Sequence, residues 1–165
     1  MTATLPLPAL DAVKRLLTGI VGKEIAVKKA LPLDLNASAP RVYGTYVNAK
    51  TDEVCLCVMD YPLAAFSGGA MMTFPKDVVN EAIKGIFSEG LLDALHEILN
   101  VLAGLFHTSS HVSLEQFCLK RGELQEHAAA LLNSPAQRLD IEVSIEHWGA
   151  GRMTLLLGHK KPMSQ

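Results

Sequence analysis

The sequence predicts an α+β domain built on a largely antiparallel sheet, with helices packed on one face. Three observations carry that expectation. Two pairs of short strand-like runs occur, the Val-, Tyr- and Thr-rich 42–47 with the apolar 54–59, and 139–145 with 153–157, where apolar residues alternate, and runs separated by short polar or Gly-rich breaks pair as hairpins. Helical spacing of apolar residues governs 8–21, 75–86 and 91–105. The 165 residues are 49% apolar and 19% charged, with no repeat or interdomain linker, so a single domain, 1–165, holds one core.

The first helix opens at Pro8, repeats Leu10, Val13, Leu17 and Val21, and ends at Gly19 and Gly22. Residues 24–33 turn extended, with β-branched Ile25 and Val27 and a Pro32 that marks an edge or an end. The hairpin 42–47/54–59 follows, its second strand the more apolar. Residues 63–74 are apolar but carry Ser67-Gly68-Gly69, which reads as a strand with a bulge or an approach too close for side chains. A helix then opens at Pro75, and Ser88 caps the next one. Residues 112–119 alternate as a strand, and 122–135 form a short helix or a loop over one sheet edge. The C-terminal hairpin turns at Gly149-Ala150-Gly151, and 158–165 form a loose tail.

A net charge of -2 gives no reason to expect nucleic acid, and no basic patch stands out. The opening residues lack a signal peptide's pattern and no apolar run reaches membrane-spanning length, so the expectation is a cytoplasmic protein with no membrane insertion. Cys55 and Cys57 alternate on one side of a strand as small buried residues, and Cys118 has no partner by sequence, which fits a reducing compartment.

The stretch 91–105 organises the chain. At about 100° per residue, Leu95, Ile98, Leu99, Leu102, Leu105 and Phe106 gather on one side. Asp93, Glu97, Asn100 and Gly104 stack in one column opposite. Solvent exposure alone produces such a polar face. Asn100, however, is a mediocre helix former where Lys or Gln serves solubility better, and Gly104 thins the same face for close docking. His107 and His111 are four apart, but Thr108-Ser109-Ser110 favours a loop and no third ligand has matching spacing, so no metal site is expected. Ser67 lacks a nucleophile elbow and a placed base. His96 borders the polar column, and Trp148 stands beside a hairpin turn where it packs or anchors a partner.

The string Asp93-x-x-x-Glu97-x-x-Asn100-x-x-Ala103-Gly104, after a helix opening at Pro75 and before a C-terminal hairpin, resembles the CheC, CheX and FliY family of chemotaxis phosphatases over most of the chain. Members of the CheC type carry two such motifs. The first helix here has Asp11, Arg15 and Thr18 where Asp, Glu and Asn would be needed, so the single copy is CheX-like. One departure stands out: no proline occurs between Asn100 and Pro135, where the family usually has one, so the surroundings of the site and its dimer contacts are expected to differ.

The resemblance implies hydrolysis of the phosphoaspartate of a phosphorylated CheY-like response regulator. Asn100 would orient the attacking water, and Glu97 would dock the regulator through its active-site lysine. Asp93 and Gly104 would adjust that docking. No cofactor is expected in this chain, with Mg2+ on the regulator, and a homodimer is implied. The alternatives are a non-catalytic regulator-binding or flagellar-switch-associated module of the same fold, and a small-molecule-binding dimer using Gly68-Gly69.

Overall fold

The computed structural model describes residues 7–36, 38–106 and 112–160. In chain order the elements are α1 (Leu10–Val21), β1 (Ile25–Lys29), β2 (Arg41–Asn48), β3 (Glu53–Asp60), α2 (Tyr61–Met72), α3 (Lys76–Ile83), α4 (Glu89–Leu102), β4 (Val112–Cys118), α5 (Glu126–Asn133), β5 (Gln137–Ile145) and β6 (Gly149–Lys160). The six strands form one sheet in the order β1-β5-β6-β3-β2-β4. Every neighbouring pair is antiparallel. The α+β expectation therefore holds, and both expected hairpins are present as β2/β3 and β5/β6.

The pleat sorts each strand between two layers. Cys55, Cys57 and Met59 of β3, with Met153, Leu155 and Leu157 of β6, belong to the main core under α1, α2 and α4. Val54, Leu56 and Val58, with Leu156, face the other way and pack with Ala128, Leu131 and Leu132 of α5. Helices α1, α2 and α4 thus share one face as expected, with α3 packed on α2 behind them, while α5 covers the opposite face. That second cover explains why β3 is apolar throughout instead of alternating with polar residues: both of its faces are buried.

Residues 61–72 form a helix, which corrects the strand expected at 63–74. The Asp60 side chain caps it by accepting from the Leu63 N–H at 2.9 Å, and Pro62 suits its first turn. Leu63, Ala64, Ala65, Ser67, Gly68, Gly69 and Ala70 are all buried. A helix buried on nearly every side shows no 3.6-residue periodicity, which removes the signal that identifies the others. The expected close approach is nonetheless present. A Cβ on Gly68 would lie 2.6 Å from Leu91 Cδ1, and one on Gly69 would lie 2.6 Å from Val79 Cγ2 and 3.0 Å from Trp148 Cζ3.

Two smaller boundaries also differ. The β5/β6 turn lies at 146–148, with His147 at φ 69°, so Gly149 and Gly151 belong to the strand. Gly151 is needed for contact: a Cβ there would meet the Leu63 backbone N at 2.5 Å. β6 continues to Lys160, into the segment read as tail, and 161–165 lie outside the described residues.

Candidate functional site

Helix α4 begins where Ser88 Oγ accepts from the Leu91 N–H at 3.2 Å, as its sequence position predicts. Leu91, Ala94, Leu95, Ile98, Leu99 and Leu102 are buried. Asp93, His96, Glu97 and Asn100 are exposed, and so is Gly104 in the short 3-10 turn Ala103–Phe106. The column anticipated from spacing therefore lies together on the solvent side of one helix. Among the described residues Asp93, Glu97 and Asn100 form no ion pair or side-chain hydrogen bond, so their polar groups are available to a partner.

The far end of α4 is fastened by a contact that the sequence does not reveal. Tyr46 is fully buried in β2, and its hydroxyl donates to the Leu99 carbonyl at 2.5 Å. The helix tightens there, because the Ala103 N–H turns to the Asn100 and Val101 carbonyls instead of Leu99. Leu99 thus lacks its i+4 donor, and the phenol replaces it. Burial first, then the neighbouring Cys57 and Cys55, hold the Tyr46 phenol well above its ordinary pKa, so it remains a donor. The Tyr46 ring also meets Phe106 at 5.2 Å. Asn100, one residue beyond the anchored carbonyl, stands on a backbone held from beneath.

Gly44 lets α4 sit low on the sheet, since a Cβ there would be 3.0 Å from Leu99 Cδ2. Gly104 has a different character. A Cβ at 104 would come no nearer than 4.0 Å to Leu16 Cδ2, so packing does not demand glycine there. His96 meets Phe117 of β4 edge-on at 6.1 Å, which places it between the polar column and an outer strand of the sheet.

The remaining candidates separate. Ser67 Oγ is buried and donates to the Ala64 carbonyl at 3.3 Å, a helix-internal bond, and among the described residues no His, Asp or Glu hydrogen-bonds it. Trp148 packs over Gly69 next to Val79. His107 and His111 lie outside the described residues. Among the described residues no group of three or more His, Cys, Asp or Glu could hold a metal ion, and no helix is long and apolar enough to cross a membrane. Cys55, Cys57 and Cys118 are free and buried, and burial pushes the Cys55 and Cys57 thiols up to about 12.

No family model matches the chain, and no curated protein matches it. Solved structures do. One is the FliM–SpeE complex from H. pylori, with TM-score 0.65 and 12% identity over 90% of this chain and 83% of that one. FliY from Thermotoga maritima gives 0.57 and 14% identity over 92% and 85%. The CheX–CheY complex with BeF3 and Mg2+ from Borrelia burgdorferi gives 0.55 and 15% identity over 91% and 95%. This is the CheC/CheX/FliY-like fold. The likeness spans nearly the whole chain, and at such identities it carries the fold alone.

Proposed function

We propose that this chain is a CheX-like phosphatase that stimulates hydrolysis of the phosphoaspartate of a CheY-like response regulator. The observation that carries the reading is the pair Glu97 and Asn100, exposed one helical turn apart on a firmly packed helix and without partners among the described residues. A carboxamide both accepts and donates. Asn100 would accept from a water and donate to a phosphoryl oxygen, holding the water in line with phosphorus with no covalent bond to this protein. Glu97 would pair with the regulator's active-site lysine and set the register in which Asn100 enters. Asp93 and Gly104 would complete the docking strip, one by charge and one by leaving room. Mg2+ would be held by the regulator.

Two features of the fold support the reading without deciding the chemistry. CheX in complex with CheY shares the fold. The α4 backbone beneath Asn100 is anchored by Tyr46, as positional catalysis requires. A cytoplasmic location follows from such a partner, and pairing of two copies would use one of the sheet edges, β1 or β4.

The second reading is a non-catalytic module that docks a regulator or a flagellar-switch protein. Its support is the likeness to FliM and the absence of proline between Asn100 and Pro135. The test is the decay of a phosphorylated CheY-like regulator from the same genome, with wild-type protein and with Asn100→Ala. Acceleration by wild type that disappears in the folded variant supports the phosphatase. Binding with an unchanged phosphoryl lifetime refutes it and favours the docking module.

A further inference from the structure

The antiparallel pairing of β2 with β4 places the start of β2 beside the residues that leave β4, with Tyr43 opposite Cys118. Arg41 and the adjacent pair Lys120 and Arg121, remote from it in sequence, thereby line one open cavity of about 400 Å³ together with Tyr43, Tyr61 and Leu119. No basic patch shows in the sequence because Arg41 stands 79 residues before Lys120, and only strand pairing joins them.

Among the described residues Arg41, Lys120 and Arg121 form no close ion pair, although the charges of Asp60 and Glu123 reach Arg41 and Tyr61 respectively. Arg121 donates to the Leu35 carbonyl at 2.7 Å and to Asn36 Oδ1 at 3.3 Å, both uncharged acceptors. Arg41 donates to the Pro40 carbonyl at 3.2 Å, while its Nε is buried with no acceptor. A buried guanidinium N–H without a partner is costly unless something supplies an oxygen. Neither nearby carboxylate hydrogen-bonds the Arg41 Nε: Asp60, opposite Arg41 in the β2/β3 register and influenced by its charge, accepts from the Leu63 and Arg152 backbone N–H groups, and Glu123, whose charge reaches Tyr61, is not part of the lining. Burial raises the Tyr43 phenol, and the nearby Arg121 and Arg41 charges offset part of that rise.

We propose that this cavity binds a small organic phosphate of nucleoside-monophosphate size. The cations and the Tyr43 hydroxyl meet the phosphate oxygens, and Tyr61 and Leu119 form the less polar wall. A guanidinium fork and an ammonium are the usual phosphate partners. The volume lies within the range of small-ligand pockets, about 300–1,000 Å³, and is more than a bare phosphate requires. The site is separate from the Asn100 column and does not depend on a regulator.

The test is calorimetric titration of the full chain with AMP, GMP and inorganic phosphate, repeated with Arg41→Gln and Lys120→Gln. Expected is saturable binding of a nucleoside monophosphate, tighter than that of inorganic phosphate, and weakened about tenfold or more by either variant through loss of a charged contact. Thermal unfolding of each variant checks that it folds, and the exposed Lys120 keeps the test informative if Arg41→Gln does not. No binding of either nucleotide overturns the proposal. So does inorganic phosphate binding as tightly, or nucleotide binding undiminished in folded Lys120→Gln.

Discussion

Replacing Tyr46 by Phe removes one oxygen and leaves the ring, its complete burial and its 5.2 Å contact with Phe106 in place. What changes is the Leu99 carbonyl, which loses the hydroxyl donating to it at 2.5 Å and has no i+4 donor, because the Ala103 N–H is turned elsewhere. An unsatisfied buried polar group costs about 1–3 kcal/mol, and the small missing volume adds little, so the expected loss is about 2 kcal/mol. For a chain of this size that lowers Tm by about 4–8 °C. Urea unfolding measures the free energy, and hydrogen exchange should show faster opening of the last turn of α4 than of its first. Tyr43→Phe is the control, since the Tyr43 hydroxyl has no hydrogen-bond partner among the described residues; it should cost less than about 0.5 kcal/mol. A loss below about 0.5 kcal/mol for Tyr46→Phe would show that the phenol does not anchor the helix. If Asn100 acts by position, the same variant should slow regulator dephosphorylation while binding is largely kept.

Gly151→Ala would place a Cβ 2.5 Å from the Leu63 backbone N and 2.7 Å from the capping Asp60 Oδ1; it should cost about 3 kcal/mol or more by urea unfolding. Gly19→Ala meets nothing within 4 Å in helix α1 and should stabilise by about 0.5–1 kcal/mol in the same assay. Burial pushes the Asp140 carboxyl upward, but hydrogen bonds from Arg138, Thr154 and the Leu33 N–H outweigh it and hold the pKa below the ordinary value. Its stabilisation is therefore present above the unfolded value of about 4 and is lost as pH falls through the lower folded value, so unfolding of Asp140→Asn should depend less on pH below about pH 4 than wild type does. Cys55 and Cys57, with thiols near 12 and no exposure, should react with a thiol reagent at pH 8 only as the protein unfolds; rapid labelling of both in the native state would contradict their burial.

Legibility in the sequence followed asymmetry of environment. Helix α4 is apolar on one side and polar on the other, so its periodicity marks its extent, its buried face and the Glu97/Asn100 column. The hairpins are legible for the corresponding reason, alternation along β5 and the polar turn between β2 and β3. Helix α2 is not, because Leu63, Ala64, Ala65, Ser67, Gly68, Gly69 and Ala70 are buried whichever way they point, and uniform burial erases the pattern. The glycines are partly legible: the close approach read at Gly68 is present, against Leu91, whereas Gly151, read as a turn, lies in β6 against the Leu63 backbone. Juxtapositions that join distant segments, such as the Tyr46 hydroxyl on the Leu99 carbonyl and the shared cavity of Arg41, Lys120 and Arg121, leave no local trace, because nothing in a hydroxyl's or a guanidinium's flanking residues records what it will face across the sheet.

The same reasoning separates the two functional readings. Tyr46, Gly44, Gly68 and Ser88 hold α4 at one height and angle, and a helix that only docks a partner needs this as much as one that positions a water. Fold likeness to CheX, FliY and FliM is therefore expected under both, and no residue of the buried face discriminates them. Glu97 does not discriminate either, since a docking carboxylate serves binding and catalysis alike. Asn100 does. A binding surface tolerates many polar groups at that place, whereas orienting a water toward phosphorus needs an acceptor and a donor on one short, stiff side chain. Asn100→Asp keeps the size and the acceptors but loses the amide donor and adds a charge facing the phosphoryl group. A docking module should lose only part of its affinity to that change, and a phosphatase should lose its rate.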